Sequence, residues 1–548
     1  MLIKSKTRYL NILSLIIVTT LVYSWITFKS PYSIGPKEAY ISPDEATSYL
    51  FIENFANKNS LKLYPELNKS FDGLIHPRQA VYNGTDVVPR KFPIFYLVYG
   101  YIFRVVGATI FNYINFIIGF FIVISVYFLF IELFNQSIGF LTALVSIFSY
   151  PVLYISQRKL FAAVPATLFL IVGFTFLSRW FFHTKKKVCK ILSYILAILF
   201  LSISIGLRID YASFILFFMF YFFLRDLKLF KKKLFYLILV LFLTLIPTII
   251  VNKYYYGGIF KTGYSFKSNT ISSSYPSLNS QDDSLEKSNF IFLGLSKVKR
   301  ISSNLDIILL NILSIAQNSI GIPIVVCIFL WFLRFRNEIN SPSNKKYLLF
   351  LLLLFIFYCG MYLTYEKKDL SIKRSYNRYF LPFYIFFSYV SAYFLTLYEN
   401  KKTRLLISFT FILLLIVQVD SMILQGNNSL QSLNNYKQSY SAFKKNLDQN
   451  VPSGSLFFTD KLDKLLVPQY KVSFLVDEKK LGISKEVEIA QLASKYIANN
   501  YKDAVYIFYT NNALDLQLLE SELKRYQLFL QEENFYAGLY KIQALSEL

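Results

Sequence analysis

The chain has 548 residues, of which 55% are hydrophobic and 17% are charged, and its mean hydropathy is +0.42. Apolar runs that approach or reach about 20 residues, the length that crosses a bilayer as a helix, exclude an ordinary soluble protein. The net charge of +25 falls largely in short loops between those runs. This positive-inside pattern argues against nucleic-acid binding and predicts a mainly α, polytopic membrane protein.

Histidine and cysteine are scarce, with two and three residues respectively. Two histidines exclude a histidine-rich metal site. Each cysteine lies in or beside an apolar run, so the sequence indicates no disulfide framework.

The first apolar run, residues 10–28, follows Lys4, Lys6 and Arg8. It is longer than the apolar part of a signal peptide, and no small-residue cleavage site follows it. We therefore expect a retained transmembrane helix with a cytoplasmic N-terminus.

Four Lys/Arg-rich loops act as cytoplasmic anchors, and they lie at 183–190, 225–233, 334–346 and 399–404. Because an out-and-back pair of helices fits between consecutive anchors, the pattern predicts about eleven crossings and an extracytoplasmic C-terminus. The crossings are expected near 10–28, 109–134, 138–155, 161–182, 190–206, 211–224, 234–252, 305–333, 347–364, 379–397 and 405–423.

The first outer loop, residues 29–108, contains two helix signals. Ser42-Pro43-Asp44-Glu45 fits a helix start, with Ser42 as N-cap, Pro43 at the first helical position and Glu45 closing a capping box. Capping accounts for Glu45 and leaves Asp44 able to face a cavity, where a carboxylate could take a proton from an attacking hydroxyl. The second signal, 92–106, is short and interrupted by Arg104, so we expect a helix lying on the outer membrane surface.

The outer loops are unusually basic for that side of the membrane. They contain Arg158, Arg208, Arg374 and Arg378. Arginine binds phosphate and stabilises its developing charge, which makes these residues candidates for holding a lipid-phosphate leaving group. Attraction to anionic lipid headgroups is the alternative explanation.

The segment after residue 425 is not membrane-like. Strand-like runs at 454–460, 471–476 and 504–509 alternate with helical stretches near 485–499 and 514–526. We expect a transmembrane module at 1–425 and a small extracytoplasmic α/β domain at 426–548, which would cap the outer face.

Segments at four places in the chain resemble the GT-C membrane glycosyltransferases, in the branch of the protein mannosyltransferases and aminoarabinose transferases. Ser42–Tyr49 is similar to the acidic motif of that family's first outer loop, and 76–107 resembles the later part of the same loop. The others are 206–217 with 252–265, and the Arg-Tyr-x-x-Pro motif at 377–384.

This resemblance implies an inverting transfer of a sugar from a polyprenyl-phosphate donor to a lipid, glycan or protein acceptor on the outer face. Asp44 and Glu45 become the candidate catalytic acids, with Asp44 as the base. The family likeness also points to five candidate residues of the substrate pocket: Lys91, Asp210, Tyr256, Tyr264 and Tyr379. No cofactor is identified, and a divalent metal is not supported, because the second outer loop lacks the acid that often follows its arginine in the family.

Three other functions stay open at this level, and one of them is a non-catalytic scaffold. A transporter or lipid flippase usually places charges at the bilayer midplane, whereas here they lie at helix ends. A polysaccharide polymerase or ligase shares the many helices and a lipid-linked substrate, but usually has its long loop late in the chain.

Overall fold

The computed structural model describes a set of segments that includes most of the first 266 residues and much of the C-terminal region. They are residues 2–29, 40, 42–111, 113–149, 152–153, 156, 160–183, 187–259, 261–266, 349–350, 352–354, 356–357, 381–396, 402, 409, 413, 416–417, 430–460, 462–474, 484–499, 504–509, 514–533 and 538–545.

The chain divides into two units, and neither is continuous in sequence. The first contains residues 1–32, 113–248 and 278–433, and the second contains 33–112, 249–277 and 434–548. The sequence predicted one boundary near 425, with the first outer loop on the membrane side of it. The structure instead groups that loop with the C-terminal segment.

Among its described residues, the first unit consists of helices and the short connections between them. Its helices are α1 (Leu2–Lys29), α5 (Ile114–Leu133), α6 (Gln136–Ile147), α7 (Ala163–Ser178), α8 (Lys187–Leu207), α9 (Ala212–Arg225), the first part of α10 (Leu227–Tyr256) and α11 (Leu381–Thr396). A π-helical turn, Arg179–His183, extends α7.

Helix α7 packs between α5 and α8. Gly173 makes the close approach to α8 feasible, because a Cβ at this position would lie 2.7 Å from Cγ of Leu201. Small residues serve this purpose at helix contacts in membranes, where packing rather than the hydrophobic effect drives association. Helix α11 packs on α6, and its Tyr389 ring stacks on the rings of Phe130 and Phe134.

Six described helices are long and apolar enough to cross a bilayer by length and composition. They are Thr7–Ile26, Pro93–Phe111, Ile114–Leu133, Ala163–His183, Lys187–Leu207 and Leu227–Tyr256. The expected crossing at 305–333 lies outside the described residues, as do most of 347–364 and 405–423, so the count of eleven stays a prediction. Pro93–Phe111 corresponds to the expected surface helix, and its position relative to the membrane stays a prediction as well.

The predicted cytoplasmic loop at 225–233 is mostly helical. Helix α9 ends at Arg225, and α10 begins at Leu227. Oδ1 of Asp226 accepts a hydrogen bond of 2.9 Å from the backbone of Leu229, which satisfies a donor in the first turn of α10. Lysine and leucine are good helix formers, so a basic run can continue a helix as readily as end it.

The second unit contains two helical and strand-forming regions that are far apart in sequence. Its N-terminal part has α2 (Pro43–Lys58), α3 (Pro65–Ser70), the antiparallel hairpin β1 (Ala80–Tyr82) and β2 (Val87–Pro89), and α4 (Pro93–Phe111). Helix α4 packs on α2.

The C-terminal part has α12 (Leu430–Asn450), which begins before the boundary at 434, and then β3 (Leu456–Thr459), α13 (Asp463–Leu466), β4 (Lys471–Phe474), α14 (Lys485–Ala498), β5 (Val505–Phe508), α15 (Leu516–Arg525), β6 (Leu528–Glu532) and β7 (Leu539–Ala544). The strand order is β4-β3-β5-β7-β6, with β3 parallel to β4 and β5, and β7 antiparallel to its neighbours. The strands predicted at 454–460, 471–476 and 504–509 are confirmed as β3, β4 and β5. The sequence missed β6, β7 and α12.

The first outer loop supplies part of the core beneath this sheet. Leu67, Phe71, Leu74 and Ile75 are buried in one cluster with side chains of β3, β5, α14 and α15. The loop also extends the edge of the sheet, because the backbone N–H of Phe474 donates to the carbonyl oxygen of His76 at 3.2 Å.

A partly buried ion pair fixes this loop to α13. Arg78 donates to the Asp463 carboxylate from its backbone N–H at 3.0 Å and from Nη2 at 3.1 Å. The Asp463 side chain is 1% exposed, and that of Arg78 is 25% exposed. Breaking such a pair on one side leaves a desolvated charge without its partner, so it costs more than breaking a surface pair.

We therefore expect Arg78→Met to lower the melting temperature of the detergent-solubilised protein by several degrees, from a loss of about 1–3 kcal/mol. Lys62→Met is the matched control, because it removes an ion pair of the same loop, Lys62 with Asp86 at 2.8 Å, in which the lysine side chain is 44% exposed. Exposed pairs contribute about 0–1 kcal/mol. Equal shifts in the two variants would contradict a docking role for Arg78.

Candidate functional site

The N-terminus of α2 positions the acidic pair that the sequence singled out. Ser42 has extended backbone angles, and its side-chain oxygen accepts a hydrogen bond from the backbone N–H of Asp44 at 3.2 Å. Pro43 occupies the first helical position. The predicted N-cap and proline are confirmed, although the Ser42 bond goes to the second helical residue rather than to Glu45, the third.

Asp44 forms an ion pair with Lys91, in which Nζ and Oδ1 are 2.5 Å apart. The Asp44 side chain is 12% exposed and the Lys91 side chain is 22% exposed. Glu45 is more deeply buried, at 3%. The Lys91 ammonium holds the Asp44 carboxylate through a charge-assisted hydrogen bond, and an acid in the first turn of α2 also interacts favourably with the positive end of the helix dipole.

Lys91 lies in a three-residue connection, 90–92, between β2 and α4. The Tyr256 hydroxyl lies within hydrogen-bond distance of two carbonyl oxygens of this region, that of Pro89 at 2.8 Å and that of Lys91 at 3.1 Å. Tyr256 is the last residue of α10, is 3% exposed, and packs against Val81 and Val88 of the hairpin. Tyr256, which the sequence predicted as a pocket residue, therefore supports the connection that contains Lys91.

A second contact holds the same connection. Gly263, in a 3₁₀ turn at Gly263–Ser265, lies so close to Arg90 that a Cβ on the glycine would collide with the carbonyl oxygen of Arg90. The backbone N–H of Arg90 donates to the carbonyl oxygen of Gln79 at 3.0 Å. Tyr264 belongs to this turn. The site thus contains parts of the first outer loop and of the segment that follows α10.

The other end of α2 is held by Arg104 of α4. Its Nε donates to the carbonyl oxygen of Ala56 at 3.0 Å, and its Nη2 donates to the carbonyl of Phe55 at 3.1 Å and to Oδ1 of Asn59 at 2.6 Å. The guanidinium satisfies the carbonyl oxygen of Ala56 in the last helical turn and adds a second bond to that of Phe55, which also accepts from the backbone N–H of Asn59 at 2.9 Å. The sequence suggested only that Arg104 interrupts an apolar run, whereas the structure shows that it caps the helix that positions Asp44.

Arg208 and Asp210 lie in the first unit and bind each other. Nε of Arg208 donates to Oδ1 of Asp210 at 3.0 Å, and Nη2 donates to Oδ2 at 2.7 Å. Their side chains are 6% and 18% exposed. This bidentate pair orients the guanidinium. A phosphate that binds Arg208 would either displace the Asp210 carboxylate or bind the guanidinium together with it.

The remaining predicted site residues lie outside the described residues: Arg158, Arg374, Arg378 and Tyr379. The expectation that Asp44 and the arginines meet above one apolar cleft therefore stays a prediction. Among the residues that the structure does describe, no group of three or more His, Cys, Asp or Glu side chains could hold a metal ion.

No protein-family model matches the chain, and no curated protein matches it by sequence. Solved structures do match. ArnT from Cupriavidus metallidurans bound to undecaprenyl phosphate is 9% identical, with a TM-score of 0.53 and 97% of each chain covered. The same enzyme in its apo state is 10% identical, with a TM-score of 0.52 and 98% of each chain covered.

A third match is the archaeal oligosaccharyltransferase AglB from Archaeoglobus fulgidus, in complex with an inhibitory peptide and a dolichol-phosphate. It is 11% identical, with a TM-score of 0.50, and the alignment covers 98% of this chain and 74% of AglB. All these neighbours are GT-C glycosyltransferases. At identities near 10% the likeness is one of fold, so the chain has the fold of the GT-C membrane glycosyltransferases, as its sequence motifs predicted.

The Arg208–Asp210 pair allows its structural and functional roles to be separated. We expect Asp210→Leu to lower the melting temperature, because it leaves a buried guanidinium without its carboxylate. The double variant Arg208→Met with Asp210→Leu should recover most of that loss, since it removes both charges.

A double variant as unstable as Asp210→Leu would contradict the assignment of the instability to an unpaired charge. If Arg208 binds the donor phosphate, the double variant should be stable and should also bind undecaprenyl phosphate more weakly than wild type, which native mass spectrometry measures.

Proposed function

We propose that the chain is an integral-membrane glycosyltransferase that transfers a sugar from a polyprenyl-phosphate donor to an acceptor on the extracytoplasmic face. The GT-C fold supports the class of reaction. The observation that carries the proposal is the carboxylate of Asp44, fixed at the start of α2 and paired with the Lys91 ammonium at 2.5 Å. In this proposal the N-terminus is cytoplasmic and the C-terminal domain is extracytoplasmic.

Asp44 acts as the general base. As the acceptor hydroxyl attacks the anomeric carbon, its proton passes to the Asp44 carboxylate and a new carbon–oxygen bond forms. On the opposite face of the sugar, the bond between the anomeric carbon and the phosphate oxygen breaks, and its electron pair stays on the lipid phosphate. Attack opposite to the leaving group inverts the anomeric configuration.

The basic side chains stabilise the leaving group. Arg158, Arg208, Arg374 and Arg378 neutralise the charge that develops on the departing phosphate, which is the usual contribution of guanidinium groups to such transfers. Lys91 keeps the Asp44 carboxylate oriented between turnovers. Glu45 is buried beside Asp44 in the first turn of α2, and Asp210, Tyr264 and Tyr379 are assigned to the substrate pocket.

The pairing of Asp44 with Lys91 restrains the orientation of the base. An ion pair with partial exposure holds the carboxylate in one orientation, while leaving part of it accessible to an acceptor. The side chains of both residues are more than three-quarters buried, so solvent screens the pair less than it would a pair on the open surface.

The test is the substitution Asp44→Asn, which keeps the shape and the N-terminal turn of α2 but removes the base. The purified protein is incubated with undecaprenyl-phosphate mannose or undecaprenyl-phosphate glucose and an envelope extract as acceptor, and released undecaprenyl phosphate is measured by mass spectrometry. We expect a loss of about 100-fold or more in the rate.

Asp86→Asn is the matched control, since Asp86 is also a lysine-paired carboxylate of the first outer loop. It should transfer at the wild-type rate. Undiminished transfer by Asp44→Asn would overturn the assignment of the base and leave this residue a helix-capping role.

A further inference from the structure

Tyr256 connects two segments that are 165 residues apart, and it does so at the position of Lys91. Its hydroxyl lies within hydrogen-bond distance of two carbonyl oxygens, that of Pro89 at the end of β2 and that of Lys91 in the connection between β2 and α4. These two residues lie on either side of Arg90. The hydroxyl has one proton, so it donates to one of the two oxygens at a time and can follow small movements of the connection between them. This contact acts on the backbone of Lys91, not on its ammonium group.

The aromatic ring and the hydroxyl of Tyr256 have separable roles. The ring packs with Val81 and Val88, and Tyr255 and Phe266 lie against the same cluster. Replacing tyrosine by phenylalanine would keep this packing and remove only the hydrogen bond. The consequence of losing the bond can therefore be measured without dismantling the hairpin.

The segment after α10 approaches the connection from a second point. Gly263 lies against the backbone of Arg90, with no room for a side chain on the glycine. Asn83 of the hairpin turn donates from Nδ2 to the carbonyl oxygen of Tyr255 at 2.8 Å. The connection that contains Lys91 has only three residues, and it is held by the end of α10 and by the turn at Gly263.

We propose that Tyr256 is a positioning residue for the base: its hydroxyl fixes the backbone of Lys91, which places the ammonium against Asp44. The sequence motif 252–265 would then be needed to hold the Asp44–Lys91 pair rather than to contact the sugar through Tyr256. The kinetic consequence rests on the function proposed above, whereas the geometric consequence does not, and the experiment keeps the two apart.

The first measurement is the labelling rate of Lys91 by an acetylating N-hydroxysuccinimide ester, followed by peptide mass spectrometry on the full chain in detergent. A lysine released from its carboxylate partner reacts faster. The Asp44→Asn variant, which removes the carboxylate, gives the highest labelling rate expected for Lys91. We expect Tyr256→Phe to raise the Lys91 rate about fivefold, the factor that the loss of one ordinary hydrogen bond produces.

Three controls make this result specific. Tyr255→Phe removes the hydroxyl of the neighbouring tyrosine and should leave the labelling rate of Lys91 unchanged. Gly263→Ala should raise it, whereas Gly258→Ala should not, because a Cβ at residue 258 would meet only the flexible side chain of Lys261. Lys62, paired with Asp86 at 2.8 Å, is the internal reference for the integrity of the loop.

An unchanged Lys91 rate in Tyr256→Phe would overturn the proposal. An equal rise at Lys62 and Lys91 would overturn it too, because it would show general loosening of the hairpin. These outcomes do not depend on any transfer activity, so they stand even if the proposed function fails.

The second measurement applies to the transfer assay with undecaprenyl-phosphate mannose or glucose. A misplaced base weakens the transition state and not the binding of the donor, so Tyr256→Phe should lower kcat about fivefold with little change in the KM of the donor. A raised KM with unchanged kcat would indicate direct contact with the donor and would contradict a positioning role.

Discussion

The ion pair between Asp44 and Lys91 is the interaction on which the proposed chemistry depends. Its two members come from different elements, the first turn of α2 and the connection after β2, so neither element can place the pair alone. Helix α2 is fixed at its start by Ser42 and at its end by Arg104. The pair thus depends on contacts at both ends of a helix and on the backbone of a short connection.

The first outer loop and the C-terminal segment fold as one unit, and this changes the expected role of the C-terminal domain. Leu67 and Phe71 are core residues of the same cluster as Leu456 and Ile507 of the sheet. Arg78 is joined to Asp463, and Ser473 donates to the carbonyl of Leu74 at 3.0 Å. The sheet is therefore part of the scaffold that supports the loop with Asp44. The expectation that the C-terminal domain is a separate cap did not include these contacts.

Several basic residues that the sequence assigned to cytoplasmic anchors donate hydrogen bonds to carbonyl oxygens at the ends of helices. Lys233 donates to the carbonyl oxygens of Trp180 and Phe181, and Arg225 donates to that of Leu133 at 2.7 Å. Carbonyl groups at the end of a helix lack intrahelical donors and carry the negative end of the dipole, so a cation is favoured there. These basic residues therefore have a capping role in this fold.

The sequence by itself determined the membrane class, most of the described helices, the N-cap at Ser42, three strands of the sheet and the likeness to the GT-C fold. The helices, the strands and the N-cap each follow from a pattern within about 20 residues, such as an apolar run or a capping signal. The membrane class and the GT-C likeness follow from several such patterns along the chain. Helix α9 was predicted to within one residue at each end, whereas the start of α10 at Leu227 was less predictable, because a basic run after Arg225 suits a helix as well as a loop.

Only the tertiary structure decided which charged groups meet and which backbone groups Tyr256 contacts. Lys91 was predicted as a pocket residue, yet its partnership with Asp44 depends on how the hairpin β1–β2 returns the chain to α2. Tyr256 lies 167 residues from Pro89, and residues 67–75 lie hundreds of residues from the sheet that buries them. No periodicity in the sequence encodes such contacts, because they arise from the packing of whole elements and not from the conformation of a single segment.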